Sequence, residues 1–549
     1  MPPKQSMHGA WSSRWAFILA ATGSAVGLGN IWKFPYITGE NGGGAFVIVY
    51  LICIALIGIP IMMSEIMLGR RGRQSPINTM KTLAIESGHS PLWKGLGILG
   101  VLAGFLILSY YSVIAGWALE YLVKASGGQF TGQTPDGIST LFSNFINDPK
   151  HLTLWHTIFM VMTFAVVARG VKSGLEAAVK FLMPALLLLL LVLVGYAMST
   201  DGFGQAVSYL FNPDFSRLTW GAVLTAMGHA FFTLSLGMGA IMVYGSYLPR
   251  ETSIAQTTFT IAIADTAVAI LAGLAIFPLV FSNNLEAGAG PGLIFVTLPL
   301  AFGQIEGGVI LGALFFLLLS FAAWTSAISL LEPAVTWLVE NHNMKRMTAT
   351  MATSIVIWLI GLLTVFSFQK DSPIIFSFNF AGETKSNGIF DILDILTANI
   401  MLPLGGLLIA FFAGWIVSKD ASRDELDLGE STGYQLWRFS SRFISPLAVF
   451  IVLVHVSGYT TLSPFMMIVF AALVVMIFAW VMFMISAFRE SALAGVLVIL
   501  ASPALSVIYG FMRMSKCRKG IYVWFSSILV FLIGVIIYYL YQIISSWFS

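Results

Sequence analysis

Apolar residues along the chain occur in runs of about 20 residues that are separated by short polar breaks. A run of this length is enough for a helix to cross the hydrocarbon core of a bilayer. We predict spans near residues 11–37, 42–68, 95–123, 152–168, 175–198, 218–247, 254–281, 307–339, 348–367, 391–417, 443–456 and 463–487, with further apolar runs at 491–512 and 521–545. The pattern therefore predicts an all-α polytopic membrane protein with about 12–14 spans.

The composition agrees with a membrane protein and excludes several other classes. Hydrophobic residues make up 58% of the 549 residues, charged residues make up 10%, and the mean hydropathy is +0.88. Soluble domains carry about 25% charged residues. The net charge of +3 is small and spread along the chain, so no basic stripe indicates a nucleic-acid partner. The two cysteines, Cys53 and Cys517, are too few for a disulfide framework.

The lysine and arginine content of the loops predicts the orientation. Basic residues are enriched in the cytoplasmic loops of membrane proteins. The loops on one predicted side, including the one with Arg70 and Arg73, hold most of them, so we expect a cytoplasmic N-terminus at residues 1–10. Arg513 would fall outside after one crossing beyond the twelfth span, against this rule. Residues 491–512 are therefore either a span or a re-entrant or interfacial segment.

Two predicted spans are interrupted near their middle. The first contains GSAVGLG at 23–29, and the sixth contains TLSLGMG at 233–239. Glycine-interrupted spans at matching positions of two halves are a pointer to a transporter site. Because each half holds five spans, the second half would enter the membrane from the opposite side, which gives a 5+5 inverted repeat. We predict repeats at 11–198 and 199–418, spans eleven and twelve within 419–488, and C-terminal segments of open role at 489–549.

The breaks predict a site for a cation and an anion together. Unwound backbone survives in hydrocarbon only where it lines a cavity or binds a ligand. Its free carbonyls can coordinate a cation, and half-helix N-termini attract an anion. An amino acid accompanied by Na⁺ offers both charges. Gly23-x-x-x-Gly27 alone is more often a helix-packing motif, but Asn30, Lys33 and Pro35 follow it directly and the sixth span repeats the interruption.

Five longer motifs surround these breaks. They are GSAVGLGNIWKFPY at 23–36, ENGGGAF at 40–46, GIPIMMSEIMLGR at 58–70, FFTLSLGMGA at 231–240 and FAAWTSAISLLEP at 321–333. In these motifs the chain resembles the neurotransmitter:sodium symporters, most closely their bacterial amino-acid transporters, over roughly residues 8 to 487.

The resemblance implies a LeuT-like fold with broken helices 1 and 6. It implies sodium-coupled import of an amino acid by alternating access, with Na⁺ at two sites, no organic cofactor and no enzymatic activity. The protein would be a multi-pass monomer or homodimer of a bacterial inner (plasma) membrane. Its partners would be the amino-acid substrate, sodium ions and the lipid bilayer, and not nucleic acid.

The family motifs imply two sets of sodium ligands. The first set is Ala25, Asn30, Thr233 and Asp265, and the second is Gly23, Val26, Ala322, Thr325 and Ser326. Both sets offer oxygen donors, which suit a hard cation. Many family members have asparagine where this chain has Asp265, and animal members bind chloride nearby. Because a carboxylate would supply that negative charge permanently, we expect chloride-independent transport.

The resemblance also implies a substrate pocket. Its lining would be Ser24, Ala25, Leu28, Gly29, Ile107, Tyr111, Phe232, Thr233, Ser235, Met238, Ser326 and Leu330. Tyr111 would place its hydroxyl near the substrate carboxylate. Members that carry amines have aspartate where this chain has Gly27, so the substrate must bring its own anion. Met238 replaces a phenylalanine of small-substrate relatives, which favours larger apolar side chains such as those of Leu, Phe, Tyr or Trp.

Three alternatives remain open from the sequence. The first is a symporter of the same fold for an osmolyte or an amine, and the second is an ion channel. The third is an intramembrane hydrolase, which the absence of a Gly-x-Ser-x-Gly elbow argues against. His229 is most simply interpreted as a polar packing residue of the sixth span.

The resemblance implies gates on both sides of the pocket. Lys33 and Asp394 would form an outer pair above Phe232 and Tyr111, with helix N-terminal charge as the alternative role of Asp394 and with Asp391 as its substitute. Glu340 would belong to the inner gate. Its partner position, an arginine in the family, is occupied by His8, with Lys4 or Arg14 as compensating residues.

Two further features concern the second and fifth spans. Gly174 and Pro184 would let the inner end of the fifth span unwind, or would simply kink it. Glu65 in the second span is predicted to accept hydrogen bonds from unwound backbone N–H groups.

Overall fold

A computed structural model describes residues 6–283, 285, 292–370, 372, 374, 376–380, 383–385 and 388–456. The spans predicted after residue 456, Cys517 and Lys4 lie outside the described residues. The chain has two compact units, and the first, Met1–Val449, holds every predicted site residue. The described residues of the second unit, Phe450–Ser549, are the end of one helix.

Helices dominate the described chain. In order they are α1 (Arg14–Ala25), α2 (Gly29–Glu40), α3 (Gly44–Gly72), α4 (Pro76–Glu86), α5 (Pro91–Ser126), α6 (Pro135–Ile146), α7 (Pro149–Val167), α8 (Val171–Ala197), α9 (Phe203–Phe211), α10 (Trp220–Thr233), α11 (Ala240–Ser246), α12 (Ile254–Ser282), α13 (Leu293–Gln304), α14 (Gly308–His342), α15 (Arg346–Ser367), α16 (Ile389–Ile416), α17 (Lys419–Leu426) and α18 (Thr432–Leu453). A short 3₁₀ turn covers Phe215–Arg217. One hairpin pairs β1 (Phe378–Phe380) antiparallel with β2 (Glu383–Lys385).

The predicted membrane architecture is confirmed in its main features. Within the described residues, nine helices are long and apolar enough to cross a membrane, and α1 with α2 forms one further span bent by 51°. Two details differ from the prediction. The hairpin of β1 and β2 was not expected in an all-α chain, because its strands are only three residues long. The eleventh apolar helix begins at Thr432 instead of near 443, since polar residues occupy its first turns.

Side-chain caps define where several helices begin. The Oγ atom of Ser13 accepts a hydrogen bond from the N–H of Ala16 at 3.2 Å, which satisfies a free donor at the start of α1. Asp148 plays the same role for α7, because its Oδ1 accepts from the N–H groups of Lys150 and His151. The hydrogen bond from the His151 backbone is the first cause that holds the pKa of Asp148 below its usual value.

The break in the first span lies where the glycine-rich motif predicted it. α1 ends at Ala25, and Val26 adopts an extended conformation with a ψ of 95°. α2 then begins at Gly29 with a π-helical turn that continues to Lys33. The interruption therefore spans about one helical turn, and its backbone groups are available for other partners.

The break in the sixth span is longer and uses positive φ angles. α10 ends at Thr233 and α11 begins at Ala240. Gly237 and Gly239 have φ values of +81° and +75°, which glycine adopts without strain, and Ser235 also has a positive φ of 54°. The prediction of two interrupted spans is confirmed.

α3 and α11 pack against each other backbone to backbone. A Cβ atom on Gly69 of α3 would overlap the carbonyl oxygen of Met242 in α11 and lie 2.8 Å from its carbonyl carbon. A Cβ atom on Gly245 would lie 2.8 Å from the carbonyl oxygen of Ile66. Glycine at both positions permits this close approach, as in other membrane helix pairs.

Candidate functional site

A small cavity of about 30 Å³ lies against both breaks. Its wall comprises Ser24, Ala25, Gly27, Leu28, Gly29, Ile107, Tyr111, Phe232, Ser235, Met238, Ser326, Ser329 and Leu330. The wall contains every residue of the predicted substrate pocket except Thr233, and it adds Gly27 and Ser329. The assignment of these residues to a substrate stays a prediction.

One end of the cavity is formed by the first break and Tyr111. The Leu28 N–H donates to the Tyr111 hydroxyl at 3.4 Å. A Cβ atom on Gly27 would lie 2.5 Å from Oγ of Ser326 and 3.1 Å from the Tyr111 hydroxyl. Glycine at position 27 thus permits the close approach of the Ser326 hydroxyl to the first break. The Tyr111 hydroxyl and the N–H groups at the start of α2 lie at this end, and groups of this kind suit a carboxylate.

Beside this end, three of the predicted first-set sodium ligands are in direct contact. Nδ2 of Asn30 donates to Oδ1 of Asp265 at 2.8 Å, and Oγ1 of Thr233 donates to Oδ2 at 3.0 Å. The N–H of Gly27 donates to Oδ1 of Asn30 at 3.2 Å, which ties this cluster to the first break. The fourth predicted ligand, Ala25, lies in the cavity wall.

Asp265 is fully buried, with an exposed fraction of 0%. Its carboxylate accepts hydrogen bonds only from neutral groups in the described chain, those of Asn30, Thr233 and Tyr50. A buried charge normally pairs with an opposite charge or binds a metal ion. The cluster of carboxylate, amide and hydroxyl oxygens therefore fits a hard monovalent or divalent cation by its donor chemistry. Tyr50 was not among the predicted site residues, because nothing in the sequence links it to Asp265.

Two residues of the predicted second set, Thr325 and Ser326, lie beside Gly23 at the end of α1. Oγ of Ser326 lies 3.4 Å from the carbonyl oxygen of Gly23, and a Cβ atom on Gly23 would lie 3.2 Å from Cβ of Thr325. Ala322 and Val26 are fully buried. The sulfur of Met183 in α8 would lie 3.0 Å from the same Cβ atom. The break in the first span therefore lies between two groups of oxygen-bearing residues.

The predicted outer gate has different contacts from those expected. Nζ of Lys33 lies 5.0 Å from the ring centroid of Phe232, as a cation–π contact. The Tyr110 hydroxyl donates to Oδ1 of Asp394 at 3.4 Å and lies 3.1 Å from Oγ1 of Thr397. No ion pair joins Lys33 to Asp394 among the described residues. The gate assignment remains a prediction, with Lys33 directly over the aromatic ring.

The predicted inner gate brings together the two expected residues. Nε2 of His8 lies 3.1 Å from Oε1 of Glu340. Glu340 also accepts from the backbone N–H of Ser75 at 2.7 Å and from Nδ2 of Asn78 at 2.8 Å. His8 is thus one of several donors to this carboxylate, and its neutral form can keep the contact. Arg14 has no ion pair among the described residues.

A second buried carboxylate, Glu332, lies on the same side of the cavity. It forms an ion pair with Arg346 and accepts a hydrogen bond from the Tyr247 hydroxyl at 2.7 Å. Nε of Arg346 also donates to the carbonyl oxygen of Val167 at 2.8 Å. This network joins α14, α15 and the chain after α11.

The predicted role of Glu65 is confirmed. Its Oε1 accepts from the N–H of Gly237 at 2.7 Å, inside the second break.

In the fifth span, Gly174 lies in a π-helical turn at Val171–Glu176, and Pro184 lies within regular helix. Nearby, Glu176 accepts from the N–H of Ser12 at 3.0 Å.

His229 is buried in an aromatic environment, as a packing role requires. Its ring centroid lies 5.9 Å from that of Phe34, with the rings stacked, and 5.5 Å from that of Tyr50. Among the described residues, neither ring nitrogen of His229 has a hydrogen-bond partner. No acid or nucleophile in that part of the chain is therefore hydrogen-bonded to the ring.

Comparisons with known proteins agree with the geometry of the breaks. The model of the sodium:neurotransmitter symporter family matches residues 8–135 and 138–499. The uncharacterised sodium-dependent transporter YhdH of Bacillus subtilis is 37% identical over 451 residues, which cover 82% of this chain and 97% of that protein. The creatine transporter of Torpedo marmorata is 26% identical over 78% of this chain and 74% of its own length.

The comparison with solved structures leads to the same fold. The crystal structure of MhsT in complex with L-phenylalanine has a TM-score of 0.74 and 43% sequence identity, over 82% of this chain and 99% of that chain. MhsT has the LeuT fold, as the resemblance implied for this chain. The chain therefore belongs to the sodium:neurotransmitter symporter family of sodium-dependent membrane transporters.

Proposed function

We propose that the protein imports an apolar or aromatic L-amino acid together with Na⁺ by alternating access, and that it does so without chloride. The observation that carries this proposal is the buried carboxylate of Asp265, which receives hydrogen bonds from Asn30 and Thr233 beside a cavity at two helix breaks. A bacterial inner membrane with a cytoplasmic N-terminus agrees with the loop charges. The segments 11–198 and 199–418 would form the two inverted repeats, which would move relative to each other around this site.

Two sodium ions would bind beside the first break. Ala25, Asn30, Thr233 and Asp265 would hold the first ion, and the substrate carboxylate would complete its ligands. The second ion would be held by Gly23, Val26, Ala322, Thr325 and Ser326. Because the inward gradient and the membrane voltage both favour Na⁺ entry, each ion contributes about 2.3 kcal/mol per 100 mV, in addition to its concentration gradient, to uptake of the substrate.

The cavity favours an α-amino acid over an amine. Gly27 provides no carboxylate for an amine, whereas the Leu28 N–H and the Tyr111 hydroxyl can receive the carboxylate of an amino acid. Ile107, Met238 and Leu330 supply an apolar wall. The MhsT complex contains L-phenylalanine, and we infer a substrate of the same class for this chain.

Uptake into proteoliposomes provides the direct test. We expect accumulation of radiolabelled leucine, phenylalanine, tyrosine or tryptophan with an inward Na⁺ gradient, and none when K⁺ replaces Na⁺. Replacing external and internal chloride by gluconate should leave the initial rate unchanged, since Asp265 already carries the negative charge. Uptake that persists in K⁺ would contradict the sodium coupling, and accumulation of betaine, taurine or an amine alone would contradict the substrate class.

Thr233→Val is expected to weaken sodium and substrate binding together. The substitution keeps the shape of the side chain but removes the hydroxyl that donates to Asp265. We expect a loss of about tenfold in both apparent affinities, measured by equilibrium binding over a sodium titration. Thr353→Val is the matched control, because the hydroxyl of Thr353 donates only to the carbonyl of Ala349 in its own helix. A change in substrate affinity without a change in sodium affinity would argue against shared ligands.

A further inference from the structure

The hydroxyl groups of Ser24 and Ser329 meet inside the cavity wall. Oγ of Ser24 donates to Oγ of Ser329 at 2.8 Å, and Oγ of Ser329 donates to the carbonyl oxygen of Ser326 at 2.7 Å. A serine hydroxyl has one proton and two acceptor lone pairs. Both protons of this pair are therefore used within the protein, and only lone pairs remain for a ligand.

Two other cavity serines behave in the same way. Oγ of Ser235 donates to the carbonyl oxygen of Ser24 at 2.7 Å, and Oγ of Ser326 donates to the same oxygen at 3.1 Å. The carbonyl of Ser24 thus has both lone pairs occupied. These bonds hold the serines in place, and they leave a wall that accepts hydrogen bonds but offers no free serine proton.

The Ser24–Ser329 pair lies at a distance from the end that suits a carboxylate. Ser326 is next to Gly27 and the Tyr111 hydroxyl. Ser329 follows Ser326 by three residues on α14, which is a displacement of about 4.5 Å along the helix axis. Ser24 precedes Gly27 by the same number of residues on the other wall. The pair therefore lies about one helical turn away from that end, and Leu330 is also part of the cavity wall.

We propose that this pair accepts a hydrogen bond from the side chain of the transported amino acid, so that an indole N–H or a phenol O–H is preferred over an unsubstituted phenyl ring. Ser24 and Ser329 are 2% and 1% exposed, so bulk water hardly reaches their free lone pairs. A ring without a donor would leave buried acceptors unpaired, which costs affinity. This inference rests on the proposed function and deepens it. Among the apolar and aromatic amino acids, tryptophan and tyrosine are the preferred substrates.

The first test needs no variant. The affinity of the full-length protein for L-tryptophan in Na⁺ is compared with that for 3-(3-benzothienyl)-L-alanine, in which sulfur replaces the indole N–H at nearly the same size. L-Tyrosine and L-phenylalanine form a second pair. At least in the tryptophan pair, we expect the amino acid that carries the hydrogen-bond donor to bind about 3- to 10-fold more tightly. One hydrogen bond contributes a difference in affinity of this size. Equal affinities within both pairs would overturn the proposal.

The second test assigns the preference to these serines. Ser329→Ala removes the central hydroxyl, and we expect the affinity ratio of the tryptophan pair to fall to about one. Ser320→Ala is the matched control on α14, since the hydroxyl of Ser320 donates to the carbonyl of Phe316 and is not part of the cavity wall. It should keep the wild-type ratio. A ratio that survives in Ser329→Ala would overturn the assignment, whereas failure of every aromatic amino acid to bind in Na⁺ would refute the proposed function itself.

Discussion

Replacing Asp265 by asparagine is expected to weaken sodium-dependent substrate binding by about 100-fold. The substitution keeps the volume and one oxygen but removes the only charge in the cluster with Asn30 and Thr233. Two unit charges 4 Å apart interact by about 4 kcal/mol at an effective dielectric constant of 20. The remaining neutral ligands and residual hydration offset part of that energy, and about 1.4 kcal/mol corresponds to each factor of ten.

A sodium titration of substrate binding to the purified protein measures this effect. The curve for Asp265→Asn should shift to much higher Na⁺ concentration, while binding at saturating Na⁺ recovers in part. Asp148→Asn is the matched control, because Asp148 caps α7 outside the cavity and asparagine caps a helix equally well. A titration of Asp265→Asn that coincides with that of the control would show that Asp265 does not hold the coupling ion.

Gly69→Ala is expected to destabilise the fold more than any substitution in the cavity. The new methyl group would overlap the carbonyl oxygen of Met242 and lie 2.8 Å from its carbonyl carbon, and main-chain atoms cannot rotate aside. Forcing extra volume into a packed interior costs about 1–3 kcal/mol or more. We expect a loss of about 3 kcal/mol or a failure to accumulate folded protein, measured as thermal unfolding of the detergent-solubilised protein.

Gly195→Ala provides the control for this substitution. Gly195 lies in α8, and a Cβ atom there would have no neighbour within 4 Å. Alanine should therefore be neutral or slightly stabilising at this position. A wild-type unfolding temperature for Gly69→Ala would mean that α3 and α11 are further apart than the structure places them.

The sequence allowed the breaks to be predicted because they depend on local chemistry. Glycines inside an apolar run identify backbone that cannot remain helical without cost. The cavity wall and Asp265 were implied by the family resemblance, and a carboxylate in an apolar helix agrees with a functional role. The motif resemblance then supplied the elements that face the breaks, such as α14.

The remaining features depend on contacts that no local pattern encodes. Ser329 was missed because a serine in a transmembrane helix usually donates to its own backbone, as this one does, and its second role requires Ser24 from another helix. The hydrogen bond from the Tyr110 hydroxyl to Asp394 was not predicted either, because the two residues lie on different helices. Side-chain direction at the ends of long helices is set by tertiary packing, which the sequence alone did not supply.

The contact between α3 and α11 also limits how the molecule can change shape. With the carbonyl of Met242 against Gly69 and that of Ile66 against Gly245, no side chains lie between the two backbones to change rotamer. Sliding one helix along the other would drive peptide groups into each other. The short second half of the sixth span must therefore travel with α3 as one rigid body, and any hinge has to lie in the six residues from Leu234 to Gly239 that precede it.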